Sequence, residues 1–311
     1  MGFQNAKMQL VLVCLMLALC FNIKATNHYF TPNSTAFDRH IIPFCLIKKL
    51  MIVQAYVNGK TGNFIIDTGV KSLTLNAKYF SHGRSSSIRG SDFSGSGLDI
   101  KETATRFGWI KGQDKSQYAL LTHLQDVEAI LGMEILGYIG YEVLQEYEVG
   151  FDYQQQMITL FHLDKKGQRK TAPFKEQVVI DTIQLRKNAY LPYMIIHLGS
   201  QKLKLAIDTG ASLNLLRDEI VQNIGAHFQH TPPRYIAGFS GQKSLVESGT
   251  LDQIRVNELP LAPMYCVVTN MKSLNITLDT EIDGLLGYEF LSQYKISINY
   301  ARNEVYVWGD K

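Results

Sequence analysis

The chain has 311 residues, of which 46% are hydrophobic and 19% are charged, and its formal net charge is +3. This length is sufficient for two domains with a sizeable core in each, and the composition is that of a globular chain and excludes a disordered one. The small net charge gives no electrostatic reason to expect nucleic acid or an anionic membrane as a partner.

The N-terminus has the pattern of an export signal. Lys7 supplies a positive charge, and Leu10–Phe21 is an uninterrupted apolar run that is short for a bilayer span. Ala25 ends a suitable cleavage site, so we predict a signal peptide at 1–25 and a secreted or periplasmic protein. The alternatives are an uncleaved membrane anchor and a lipoprotein acylated on Cys20.

Two β-rich halves follow a leader segment at 26–40. The first half opens with the predicted strand Met51–Val57, which ends at the hairpin signal Asn58-Gly59, and the second opens with Tyr193–Leu198. Helical patterns are few, so we predict a mainly β fold. Further strands are predicted at Met157–Phe161 and Val305–Trp308, and helices at Arg217–Asn223, Tyr141–Tyr147 and Tyr288–Tyr294.

A polar, glycine-broken segment at 164–170 joins the two halves. Its basic residues favour a solvated linker over a docking patch. We place the boundary near Gly167, which predicts lobe one at 41–166 and lobe two at 167–311.

The two halves repeat each other in sequence. FIIDTGVKSLTL at 64–75 matches LAIDTGASLNLL at 205–216. A second block at 137–153 matches 284–300, so both halves carry the same two motifs in the same order. The identical pairs of the second block are Gly137/Gly284, Gly140/Gly287, Tyr141/Tyr288, Glu142/Glu289, Leu144/Leu291, Tyr147/Tyr294 and Tyr153/Tyr300.

Each half therefore contributes one Asp-Thr-Gly triplet, at Asp67 and at Asp208. One such triplet is typical of an ordinary turn. Two copies at equivalent places after apolar strands favour a paired function, because two carboxyls in contact keep one proton between them. One can then act as general base on a water molecule while the other acts as general acid.

On these motifs the chain resembles the pepsin and retropepsin superfamily of aspartic proteases, in particular exported members with two retropepsin-like lobes. The resemblance covers roughly residues 41–311 and implies a bilobal fold with pseudo-two-fold symmetry. It further implies a monomer that cleaves a peptide or protein substrate without cofactor or metal. Asp67 and Asp208 would be the catalytic pair, since proton sharing between two aspartates is the established behaviour of this family.

The resemblance also implies roles for the residues around the aspartates. Thr68 and Thr209 would lock the two loops together by crossed hydrogen bonds, and Gly69 and Gly210 would let the backbone approach the carboxylates. The second motif would pack behind the catalytic loop and help form the structure called psi. Its glycines are Gly140 and Gly287.

A glycine-rich flap over the substrate is a further feature of the family. Glycine also occurs at the hairpin tips of any β protein, so the pattern leaves open whether these residues form flaps and which lobe carries a working one. The candidates are Gly95 and Gly97 in lobe one, and Gly238 and Gly241 in lobe two.

The chain departs from the family at Val70 and Ala211, which stand where pepsin-like enzymes usually have Ser or Thr, and at Lys71, a cation near the first loop. These departures leave the substrate preference and the pH optimum open. The rival hypothesis is a catalytically inactive exported binding or scaffold protein of the same fold. A serine hydrolase is disfavoured because Gln242 breaks the nucleophile-elbow pattern around Ser240.

The cysteines and histidines give no metal-binding pattern. Cys45 and Cys266 remain after the predicted signal, either as a disulfide or as two buried free thiols. His227 and His230 lack a further ligand nearby, so we interpret them as ordinary surface residues.

Overall fold

The computed structural model describes residues 9–12, 35–36, 39–86, 89–92, 97–171, 177–188, 190–237, 243–278 and 280–310. Strands predominate over helices in these ranges, and the fold is mainly β and bilobal, which confirms the fold class predicted from the sequence. None of the helices that the structure describes is long and apolar enough to cross a membrane.

The elements before the linker are mostly strands of two to nine residues. The strands are β1 (Gln9–Leu12), β2 (Thr35–Ala36), β3 (Arg39–Ile47), β4 (Leu50–Val57), β5 (Lys60–Ile66), β6 (Leu73–Asn76), β7 (Arg84–Ser85), β8 (Arg89–Asp92), β9 (Gly97–Leu98), β10 (Lys101–Gly108), β11 (Lys115–Thr122), β12 (Gly137–Ile139), β13 (Tyr147–Asp152) and β14 (Met157–His162), and the helices are α1 (Gln125–Leu131) and α2 (Tyr141–Leu144).

The elements after the linker follow the same pattern. The strands are β15 (Gln177–Gln184), β16 (Arg186–Asn188), β17 (Leu191–Leu198), β18 (Gln201–Ile207), β19 (Asn214–Arg217), β20 (Phe228–Ala237), β21 (Lys243–Leu251), β22 (Ile254–Val256), β23 (Leu259–Pro260), β24 (Met264–Thr269), β25 (Gly284–Leu286), β26 (Lys295–Asn299) and β27 (Glu304–Asp310), and the helices are α3 (Asp218–Ile224), α4 (Lys272–Leu278) and α5 (Tyr288–Leu291), with a 3-10 turn at Gly225–His227.

The predicted helix starting at Tyr141 is shorter than the sequence indicated. It ends at Leu144, and Tyr147 begins β13 instead, where Tyr147, Val149 and Phe151 alternate into the core. The helix at Tyr288 also stops after one turn. At Tyr147 strand pairing across the sheet outweighs local helix propensity, because it buries a whole apolar face. After Leu291 the chain instead turns before β26 begins at Lys295.

One sheet joins the two halves. Its strand order runs β15-β27-β26-β13-β14-β3, so strands from both halves lie side by side. The junction is the antiparallel pair β13–β26, in which Val149 lies opposite Ile298. The lobes therefore share a continuous hydrogen-bonded platform, while the division at 166/167 stays a prediction.

A buried ionic network crosses this junction. Glu148 on β13 is 2% exposed and forms an ion pair with Arg169, whose side chain is 11% exposed. Ser297 Oγ donates to Glu148 Oε1 over 2.5 Å and Asn299 Nδ2 donates to Glu148 Oε2 over 3.0 Å. The Arg169 guanidinium also lies 4.5 Å from the centre of the Trp308 ring.

The interpretation of 164–170 as a solvated segment is therefore wrong for Arg169. Lys165 and Lys166 are exposed, but Arg169 turns inward because Glu148 offers it a buried counter-charge. A charge pattern in sequence cannot distinguish an exposed basic side chain from a buried, paired one, because the counter-charge Glu148 lies on a distant strand.

The structure also bears on the cysteines and on the predicted signal segment. Cys45 and Cys266 are both free thiols; Cys266 is buried as that alternative expects, whereas Cys45 is only partly buried. Part of the predicted signal peptide, Gln9–Leu12, pairs in parallel with β8. Removal of 1–25, acylation of Cys20 and export stay predictions.

Candidate active site

Each Asp-Thr-Gly triplet follows a buried strand and is flanked by the second motif of the same half. Asp67 comes directly after β5, and Asp67 N–H donates to Ile139 O over 3.1 Å. Asp208 comes directly after β18, and Asp208 N–H donates to Leu286 O over 3.0 Å. The repeat in sequence is therefore a repeat in structure.

The glycines of the second motif allow a close approach to the aspartate loops. A Cβ added to Gly140 would lie 2.3 Å from the carbonyl oxygen of Val70, and one added to Gly287 would lie 2.3 Å from that of Leu213. Any side chain at either position would thus collide with the backbone. This clash explains why the psi motif needs glycine in both halves.

The two loops are tied together by their threonines. Thr68 N–H donates to Thr209 Oγ1 over 3.0 Å, and Thr209 N–H donates to Thr68 Oγ1 over 3.0 Å. Each hydroxyl in turn donates to a carbonyl of the other half: Thr68 to Ile207 over 2.9 Å and Thr209 to Ile66 over 3.0 Å. All these groups are buried, so the pairing of the lobes and the placement of the aspartates depend on the same bonds.

The structure brings the two carboxyls against each other. Gly69 N–H donates to Asp67 Oδ1 over 2.9 Å, and Gly210 N–H donates to Asp208 Oδ1 over 2.8 Å. A Cβ added to Gly210 would lie 2.3 Å from the Asp67 carboxyl, so each glycine loop touches the aspartate of the other half. Both Oδ2 atoms are buried and accept no hydrogen bond from the described residues.

Burial strongly favours the protonated form of the pair. It raises the pKa of Asp208 to about 7, although the amide of Gly210 acts in the opposite direction. Burial is also the main cause that raises the pKa of Asp67 well above its ordinary value, and the charge of Asp208 adds to the rise. Asp208 therefore ionises first, and Asp67 keeps one proton on the pair past neutral pH.

Cross-lobe tyrosine pairs flank the aspartate loops. The ring of Tyr141 lies 5.2 Å from that of Tyr300, and the ring of Tyr153 lies 5.6 Å from that of Tyr288, in edge-on packing between halves. Sequence reasoning found these positions as identities of the repeat but assigned them no role. The repeat could have indicated a shared role for these tyrosines, because both members of each pair recur in it.

Two asymmetric hydrogen bonds, each from a side chain of the second half to a backbone carbonyl of the first, also join the two halves. Tyr190 OH donates to Gly69 O over 3.1 Å, and Ser212 Oγ donates to Lys48 O over 2.9 Å. Neither residue was singled out from the sequence. Lys71 lies with its Nζ 4.0 Å from Glu142 Oε1, so its cation is partly balanced by a neighbouring carboxylate.

Gly97 is the one flap candidate that lies within the described residues. Gly97 begins β9, and it lies opposite Ser91 of β8 in a short antiparallel pair. The other three candidates, Gly95, Gly238 and Gly241, lie outside the described residues. Flap function stays a prediction.

The described part of the chain contains no group of three or more His, Cys, Asp or Glu side chains that could hold a metal ion. His230 Nδ1 instead lies 2.6 Å from Glu247 Oε1 on the surface. His227 belongs to the 3-10 turn. Neither histidine is near the aspartates in sequence or in the sheet.

Comparisons with known proteins add independent information on the second half. Residues 194–290 match the family model described as aspartyl protease, and this stretch contains both Asp208 and Gly287. Among solved structures, basic 7S globulin from soybean is similar, with 10% sequence identity, a TM-score of 0.49, and coverage of 87% of this chain and 94% of the globulin chain. A search of curated protein sequences finds no significant match.

Proposed function

We infer that this chain, a member of the aspartic protease superfamily, is an aspartic endopeptidase with Asp67 and Asp208 as its catalytic pair. One observation carries the proposal. Two buried carboxyls from equivalent loops face each other, each with one oxygen held by a loop amide and the other oxygen without a partner among the described residues. Such an arrangement can hold a water molecule between the two Oδ2 atoms.

The proposed reaction needs one proton on the pair. The ionised carboxylate takes a proton from the water, whose oxygen attacks the peptide carbonyl carbon. The protonated carboxyl gives its proton to the carbonyl oxygen, which forms a neutral tetrahedral diol. As the C–N bond breaks, the protonated carboxyl gives its proton to the leaving amine. The other carboxylate takes a proton from one diol hydroxyl, whose oxygen becomes the carbonyl oxygen of the new carboxyl group. The pair is then again singly protonated.

Export and a monomeric state complete the proposal. One chain supplies both aspartates, so no second copy is needed to build the site. The export signal predicted at 1–25 would deliver the protein to the periplasm or the extracellular medium.

The direct test is hydrolysis of a mixed peptide library by the purified mature protein. We expect cleavage that a hydroxyl-bearing transition-state mimic of peptide hydrolysis inhibits. Binding of that inhibitor without any cleavage would instead favour the rival hypothesis, an inactive binding or scaffold protein of the same fold.

We predict a weakly acidic to near-neutral optimum for kcat/KM. Burial raises the pKa of both aspartates, and the charge of Asp208 raises that of Asp67 further, so Asp67 holds the last proton of the pair. That proton is lost only as the pH rises past neutrality, and the rate should fall there. Val70 and Ala211 provide no hydroxyl that could stabilise the ionised form. The double variant Val70→Ser with Ala211→Ser should therefore move the basic limb of the profile to lower pH.

The control for this profile is Val70→Ala, which changes bulk but adds no donor and should leave the limb in place. A limb that does not move in the serine variant would contradict the argument. A wild-type optimum deep in the acid range would contradict it as well.

We also predict that cleavage resists chelators and reagents directed at serine and cysteine nucleophiles. Burial raises the pKa of Cys45 and of Cys266, so neither thiol is a ready thiolate. Activity measured after treatment with a chelator or an alkylating reagent should equal that of untreated protein. Loss of activity on chelation, restored by added zinc, would show that a metal takes part.

A further inference from the structure

Two histidines on adjacent strands of the central sheet bring the same ring atom together. His40 lies on β3 and His162 is the last residue of β14, and these two strands pair antiparallel. Nε2 of His40 lies 3.3 Å from Nε2 of His162, although the two residues are 122 positions apart in the chain. Both side chains are partly buried. The proposed catalysis does not use this pair.

A hydrogen bond between the two rings would be a weak one. Only one Nε2 can donate, since the other must accept with its lone pair. The observed 3.3 Å exceeds the usual range of about 2.7–3.2 Å, and a straight N–H···N bond of this length would place the ring centres about 5.6 Å apart. The centres are 5.0 Å apart and the ring planes are inclined by 72°. The rings are therefore bent toward each other and are not aligned end to end.

The same distances fit two imidazoles that bind one zinc ion. Zinc binds imidazole nitrogen at about 2.0–2.1 Å with tetrahedral angles, which places two ligand nitrogens about 3.3–3.4 Å apart and their ring centres about 5.2 Å apart. Copper(II) in tetragonal geometry would bring neighbouring nitrogens to about 2.8 Å at similar bond lengths. The observed 3.3 Å and 5.0 Å therefore match zinc better than copper(II).

The surroundings of the pair limit which atoms can be ligands. His40 Nδ1 is buried and has no hydrogen-bond partner among the described residues, so Nε2 is the ring nitrogen of His40 that makes a polar contact. The ring of Tyr147 packs edge-on at 6.4 Å from His40 and 5.3 Å from His162. Burial raises the pKa of Tyr147 to about 12, so its phenol stays neutral and is a poor ligand.

We propose that His40 and His162 form a two-histidine binding site for a zinc ion. Because the described residues provide no group of three His, Cys, Asp or Glu side chains, two water molecules complete the tetrahedron. The ion ties β3 to the end of β14, where the linker begins. Lys170 N–H donates to His162 O over 2.9 Å, so the same strand end also holds the linker.

Zinc at this pair should stabilise the fold without taking part in cleavage. The two aspartates follow β5 and β18, and neither lies on β3 or β14. A ligand that binds only the folded chain raises its stability according to the ratio of free ligand to Kd. Chelation should therefore lower Tm and leave kcat unchanged, which agrees with the chelator resistance predicted for the reaction.

The test is calorimetric titration of zinc into the purified mature protein, prepared without a histidine tag, at about pH 7.5, where free imidazole is mostly neutral. We expect one zinc ion per chain. His40→Ala and His162→Ala should each weaken binding at least about tenfold, because each variant keeps a single protein ligand. The matched control is His230→Ala, which removes a surface histidine beside Glu247 and should bind zinc like wild type.

Two outcomes of this titration would overturn the proposal. One is wild type that binds no zinc at concentrations up to about 1 mM. The other is binding that keeps its affinity in both His40→Ala and His162→Ala, which would place the ion elsewhere on the chain.

Thermal unfolding and a cobalt spectrum extend the test to variants that fold less well. Zinc at ten times its Kd should raise the Tm of wild type by about 2–3 °C, and Mg²⁺, which prefers oxygen ligands, should not. His40→Gln and His162→Gln keep a polar side chain, and their Tm should not respond to zinc. Cobalt(II) bound to wild type should give the visible absorption of a tetrahedral site. An octahedral cobalt spectrum in wild type, or an equal rise in Tm in the glutamine variants, would contradict the two-histidine site. None of these measurements depends on cleavage.

Discussion

Replacing Asp67 or Asp208 with asparagine should lower kcat for peptide hydrolysis by about 10⁴-fold or more, because the site loses either its base or its acid. Asparagine has the shape of aspartate, and its Oδ1 can still accept the hydrogen bond from Gly69 or Gly210. The loops should therefore keep their structure. Initial rates on a cleaved library peptide measure the effect, and Asp126→Asn on the exposed face of α1 is the matched control.

Stability provides the check that these variants are folded. A buried carboxyl whose pKa is raised on folding disfavours the folded state as the pH rises above its unfolded pKa. Asparagine does not ionise, so thermal unfolding of Asp208→Asn at pH 7 should occur at the wild-type temperature or higher. Near-normal turnover in either variant would contradict the paired mechanism.

Mixing the two inactive variants distinguishes one-chain from two-chain sites. Both aspartates of the proposed site come from the same chain, so each variant molecule has a damaged pair and mixing should restore nothing. Recovery of activity on mixing would show that the site forms between two copies.

Replacing Arg169 with leucine should lower the free energy of unfolding by about 3 kcal/mol, because it leaves the Glu148 carboxylate buried without its counter-charge. Ser297 and Asn299 still donate to Glu148, but neutral donors compensate a buried charge only in part. Because Glu148 and Ser297 lie on strands of different halves, the loss also weakens the junction that aligns the aspartates. Urea denaturation of wild type and variant measures the difference.

The matched control is Lys166→Leu in the same segment, where the side chain is exposed and the change should be within about 0.5 kcal/mol. Adding Glu148→Gln to Arg169→Leu should recover part of the lost stability, since it removes the unpaired charge. An Arg169→Leu variant as stable as wild type would contradict the role of the network.

The sequence by itself determined the mainly β fold, the two related halves and the equivalent positions of Asp67 and Asp208. Strand patterns and an internal repeat are readable because they depend on residues close in sequence. The predicted strand Met51–Val57 corresponds to β4, one residue longer. By contrast, α1 and α4 carry no strong start signal and were not predicted.

Only the tertiary structure decided which distant groups meet. The crossed threonine bonds, the packing of Tyr153 on Tyr288 and the burial of Arg169 against Glu148 all join segments far apart in the chain. No local pattern records such partners, because a side chain's environment is set by the faces that pack against it. The same argument explains why the contacts of Tyr190 and Ser212 with the other half emerged only once the strands were paired.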